Sequence, residues 1–129
     1  METLTAVRSA LRTDPEVQLG VVFGSSARGT ASGPSDIDIG VVGVAPSRLP
    51  ALAVRLGRLA GREVDLIPLE TAPPLLRFEI ARDGVLLVER TEGLWRAFQT
   101  RAMVDWWDWA PLARRFAEAA MGRLASGAP

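Results

Sequence analysis

Two β-branched runs, Val17 to Phe23 and Asp36 to Val42, flank a Gly- and Ser-rich connection, and this pairing constrains the fold more than any other feature. The first run ends at Gly24. In the second, Asp36 and Asp38 alternate with Ile37 and Ile39. On a strand successive side chains point to opposite faces, so the two acids share one face and the isoleucines enter the core from the other. A connection of about a dozen residues suits a short helix beginning near Ser25 and a loop through Ser32-Gly33-Pro34-Ser35.

The rest of the chain alternates helical and extended patterns. Leu4, Val7 and Leu11 recur at helical spacing from Thr3 to about Arg12, and Asp14-Pro15 breaks the pattern. Pro46-Ser47 and Pro50 mark a helix start, with Leu52, Leu56 and Leu59 as its apolar stripe and Gly61 as its stop. Arg62 to Leu69 reads as a strand, Thr71 to Gly84 as a helix opened by Pro73-Pro74, and Val85 to Val88 as a short strand. From Thr91 to about Leu124 the chain is helical, and Pro111 is expected to kink it or break it into two helices. The tail from Ser126 to Pro129 is expected to fray. The pattern predicts an α/β (α+β) layer with a mixed sheet, flanking helices and a helical C-terminal segment. One domain spans residues 1–129, with a core over 1–90 and the helical segment over 91–125.

Composition removes several kinds of chemistry. With neither Cys nor His, the chain cannot form disulfides, thiolate metal sites or an imidazole base, so any bound metal must be held by oxygen. Its 15 basic residues balance 15 acidic ones, and bulk charge predicts no nucleic-acid or membrane surface. All the basic residues are Arg. A phosphate must therefore be held by Arg forks, backbone N–H groups or metal ions. No apolar stretch approaches a membrane span and no basic-then-apolar leader opens the chain, so a cytoplasmic protein is expected.

Gly24 allows a phosphate close to the backbone, and Ser25 and Ser26 supply hydroxyl and N–H groups at a helix start. Arg28 is near enough in sequence to reach back to the same phosphate. Asp36 and Asp38 repel each other unless a cation sits between them, and hard ions such as Mg²⁺ take these ligands while leaving positions open for phosphate. Asp65, flanked by Val64 and Leu66, is expected to be a buried acid that completes the cluster if its strand lies beside the Asp36 to Val42 strand. It is also the candidate base for an attacking hydroxyl. An anion seat beside a metal seat points to metal-dependent attack on a nucleotide phosphate.

Gly24-Ser25-Ser26-Ala27-Arg28-Gly29, the ten-residue spacing to Asp36-Ile37-Asp38 and the later Val64-Asp65-Leu66 resemble the DNA polymerase β-type nucleotidyltransferase superfamily. The short length and the stretch from Leu76 to Gly84 resemble its minimal nucleotidyltransferase branch, whose members pair with HEPN-domain ribonucleases as toxin–antitoxin systems. The resemblance implies that Gly24 and Ser25 hold the triphosphate, that Asp36 and Asp38 hold two Mg²⁺ ions, and that Asp65 meets the metal and the acceptor hydroxyl. It implies transfer of AMP from ATP to a tyrosine of the HEPN toxin, with pyrophosphate released. The chain has no Tyr, so it cannot modify itself on tyrosine.

Two alternatives belong to other classes. One is a binding antitoxin that neutralises its partner by forming a complex; the other is a small-molecule nucleotidyltransferase whose acceptor-binding subunit is a separate chain. In the helical segment, positions 95, 98, 102, 106, 109 and 113 follow one face, which is expected to pack on the sheet. Trp107 falls off that stripe and is the candidate partner contact.

Overall fold

The computed structural model describes residues 2–24 and 36–125. Strands β1 (Leu19–Phe23), β2 (Ile37–Val42), β3 (Val64–Pro68) and β4 (Val85–Glu89) form one mixed sheet in the order β3-β2-β1-β4. β1 runs antiparallel to both β2 and β4, and β2 runs parallel to β3. The helix expected near Ser25 lies outside the described residues.

Helices α1 (Glu2–Thr13) and α2 (Leu49–Ala60) cover one face of the sheet. Val7, Ala10 and Leu11 of α1 and Leu52, Leu56 and Ala60 of α2 are buried at helical spacing against Ile37, Ile39 and Val41 of β2 and Val64 and Leu66 of β3. Each helix ends where its sequence stops it. Thr13 turns its hydroxyl back to the Ala10 carbonyl ahead of Pro15, and Gly61 takes a φ of 67° that closes α2 through its N–H to the Gly57 carbonyl.

Helices α3 (Pro74–Asp83) and α4 (Leu94–Ala125) cover the other face. Here Leu19, Val21, Leu69 and Ile80 form a second core, joined by Phe23, Leu76, Leu94, Trp95 and Phe98. Gly40 of β2 is needed for this packing, because a Cβ there would lie 2.6 Å from Leu69 Cδ2.

Two expectations are narrowed. Of the kink or break expected at Pro111, the break does not occur: α4 is one helix with the proline inside it. The carbonyl four residues back, which loses its partner, belongs to exposed Trp107 and is within reach of water. The aromatic stripe is core only in part. Ala102 is buried, Trp95, Phe98 and Trp106 are half-buried, but Trp109 is exposed because the helix has by then run past α3.

Candidate active site

The acidic alternation of β2 becomes a site through its neighbours on both sides. Ile37 and Ile39 enter the core beneath α1 and α2, so Asp38 projects toward the α3 side. Strand registry sets Asp38 opposite Asp65 on β3 and opposite Phe23 on β1, with Gly24 one residue on. Val64 and Leu66 are likewise buried in the first core, which turns Asp65 to the same side as Asp38. Asp36 stands just before β2 and is exposed, and the Ile37 N–H beside it donates to the Glu63 carbonyl at 2.9 Å.

Gly24 and Asp38 are in intimate contact. Gly24 has a φ of 73°, and a Cβ on it would lie 2.7 Å from Asp38 Oδ2. Any other residue would be strained in backbone and would push the carboxylate aside. Glycine at the end of β1 therefore serves the acid as well as the turn.

Burial, then the charge of Asp65, then that of Asp36 hold the Asp38 carboxyl above the usual carboxylate range. Both other acids thus act on Asp38. Among the described residues no three acids, Asp36, Asp38 and Asp65 included, stand close enough together to hold a metal ion as a group, so the fit to a cation rests on the surroundings of Asp38 alone. A partly desolvated carboxylate repelled by two neighbours is relieved by a hard cation with oxygen ligands.

Asp65 differs from expectation in one respect: it is exposed, on β3 at the edge of the sheet. Its placement beside Asp38 is as expected. Ser25, Ser26 and Arg28 lie outside the described residues. One group of residues, within the stretch from Leu76 to Gly84 that carries the family resemblance, was not expected at the site. Leu76, Glu79, Arg82 and Asp83 of α3, with Phe23 and Gly24, line a cavity of about 260 Å³ at the same end of the sheet. The available signal was the polar end of a helix, Arg82-Asp83, just before Gly84; only the packing of α3 on β1 shows that it faces the site.

A Gly-ended strand, an adjacent strand bearing two acids and a third acid in parallel registry thus meet at one end of the sheet. The chain belongs to the polymerase beta nucleotidyltransferase family, whose profile matches residues 6–93. Among solved structures it is similar to a toxin–antitoxin chain crystallised with AMP-PNP (TM-score 0.81, 24% identity, covering 92% of this chain and 98% of that one). It also resembles a chain of the MntA–HepT toxin–antitoxin (TM-score 0.74, 22% identity, 92% and 97% covered). A further likeness is to a chain of the Shewanella oneidensis complex of a tri-AMPylated HEPN toxin with its MNT antitoxin (TM-score 0.72, 20% identity, 92% and 98% covered). At these identities the likeness is one of fold. No curated protein matches the chain by sequence. Among the described residues, no helix is long and apolar enough to cross a membrane.

Proposed function

We propose that this chain is a Mg²⁺-dependent protein adenylyltransferase that acts as the antitoxin of a HEPN-domain ribonuclease, moving AMP from ATP to a tyrosine hydroxyl of the toxin. The observation that carries the reading is the registry of Asp38 with Asp65 across β2 and β3, with Gly24 against the Asp38 carboxylate. Family membership and the AMP-PNP and AMPylated-toxin complexes of similar chains support it.

Asp36, Asp38 and Asp65 would hold the Mg²⁺, two ions in all, which supplies charge neutralisation at the phosphates and a lowered pKa for the acceptor hydroxyl. Gly24 admits the phosphates to the backbone, and Ser25, Ser26 and Arg28 are proposed to grip the triphosphate. The acceptor oxygen forms a bond to the α-phosphorus and passes its proton to the Asp65 carboxylate. The bond from the α-phosphorus to the bridging oxygen breaks, and pyrophosphate leaves with the electron pair. Exposure of Asp65 on an edge strand suits an acceptor carried by another protein.

A second reading, neutralisation by binding alone, is favoured by one observation. The distal part of α4 presents Trp107, Trp109, Leu112, Phe116 and Met121 to solvent. Trp107, 67% exposed, is the proposed anchor. The test is to incubate the protein with Mg²⁺ and ATP labelled at the α-phosphate, with and without the HEPN partner, beside Asp38→Asn. Label is expected on the partner with wild type and to fall at least about a hundredfold with the variant. A stable complex without label from the wild type would favour binding alone.

A further inference from the structure

The cavity beside Gly24 lies on the side away from Asp65. Registry and strand order set Asp65, Asp38 and the end of β1 in a row, and the C-terminal flank of α3, with Glu79, Arg82 and Asp83, continues beyond Gly24. In-line displacement at phosphorus puts the attacking and leaving oxygens on opposite sides. With the acceptor on the Asp65 side, the leaving pyrophosphate is directed toward Gly24 and α3.

That leaving group gathers negative charge as its bond breaks, and the chain has no Lys to meet it. Among the described residues Arg82 is the one cation lining this cavity. Its fork is braced in advance: Nε donates to Asp83 Oδ1 at 3.1 Å, Nη2 donates to Asp83 Oδ2 at 2.8 Å, and the guanidinium sits 5.6 Å from the Phe78 ring centroid. Nη1 has no hydrogen-bond partner among the described residues, and the side chain is 54% exposed. An arginine held along one edge keeps the other edge for a phosphate at little further entropic cost. Asp83 is engaged by Arg82, and Glu79 leaves the cavity wall without net positive charge. Recognition therefore rests on directed N–H donors rather than on a diffuse field.

We propose that Arg82 is a phosphate-binding residue of this site, its Nη1 edge donating to the β- or γ-phosphate of the bound nucleoside triphosphate and to the pyrophosphate as it departs. The assignment rests on the nucleotidyl-transfer reading and adds to it a residue outside the Gly-Ser and Asp-x-Asp motifs. The test is calorimetric titration, with Mg²⁺, of α,β-methylene ATP, which cannot release pyrophosphate, and of AMP, into wild type, Arg82→Gln and Arg82→Lys. Arg82→Gln is expected to weaken α,β-methylene ATP roughly tenfold to a hundredfold and to leave AMP within about threefold. Arg82→Lys should recover part of the loss, since it keeps the charge without the fork. Equal weakening of both ligands, or of neither, overturns the assignment. If Arg82→Gln does not fold, the affinity ratio in Arg82→Lys decides, and an unchanged ratio sinks it. A folded wild type that binds no α,β-methylene ATP removes the nucleotidyl-transfer reading, and this assignment falls with it.

Discussion

Asp38 shows how a residue of a candidate site can weaken the fold that carries it. Its carboxyl is raised by burial and by two neighbouring acids, so the folded state binds that proton more tightly than the unfolded chain does. The sign follows directly: as pH rises from below the ordinary value of 3.8 through the raised value, the group's ionisation costs stability, and at neutral pH the whole cost is present. Asp38→Asn is therefore expected to melt a few degrees higher than wild type at pH 7 in the absence of divalent ions, with the difference fading toward acid pH. Thermal unfolding in EDTA across pH checks this. A variant that melts lower than wild type at neutral pH would show that the carboxylate is stabilised where it stands. Added Mg²⁺ should raise the wild-type midpoint more than that of the variant.

Between elements, polar side chains tie the α1–β1 turn to the segment leading into α2. Asp14 is buried, its carboxylate 4% exposed; it accepts from Arg48 Nη2 at 2.9 Å and from the Glu16 N–H at 3.1 Å. Arg90, just past β4, braces the same turn by donating to the carbonyls of Arg12, Asp14 and Val17. The hydrogen bond from Arg48 is the main reason that the Asp14 carboxyl lies below the usual range, ahead of the opposing effect of burial. Its contribution is present above the ordinary value of 3.8 and is lost as pH falls through the depressed one. Arg48 is 42% exposed, so solvent screens the ionic part and the hydrogen bonds dominate. Asp14→Asn is expected to cost about 1–3 kcal/mol at pH 7 in urea unfolding, with the gap narrowing below pH 3.8. A gap that stays constant into acid would assign the cost to packing. Asp14-Pro15 reads in the sequence only as a helix stop, because both Arg partners come from distant segments.

At the scale of the whole molecule, the sheet separates two jobs. One face, under α1 and α2, is closed core; the other, under α3 and the start of α4, carries the acids and the cavity at one end. Past Ala110, α4 buries no side chain among the described residues. Ending the chain after Ala110 is therefore expected to shift the melting midpoint by no more than about 2 °C, since exposed positions contribute little to stability. The same truncation removes Leu112, Phe116 and Met121 but keeps Trp107, and should weaken the complex with the HEPN partner, measured by size-exclusion chromatography. A large loss of stability would mean that the distal helix folds back on the core; an unweakened complex would exclude the helix beyond Ala110 from the interface.

Much of this was legible in the chain because it is local. Period-two alternation set Ile37 and Ile39 against Asp36 and Asp38, helical spacing chose Val7 and Leu11 of α1 and Leu52 and Leu56 of α2, though Leu59 is exposed and Ala60 is buried in its place, and Gly61 and Pro50 bounded α2, all within a few residues of one another. Tertiary structure decided what depends on contacts between distant segments. Parallel pairing put Asp65 beside Asp38, edge position left it exposed, and the packing of α3 on β1 brought Arg82 to Gly24. Alternation says which way a side chain points but not which strand lies next to it. That choice is made by burial summed over the whole sheet, so the acids could be read from the sequence and the cation in the cavity beside Gly24 could not.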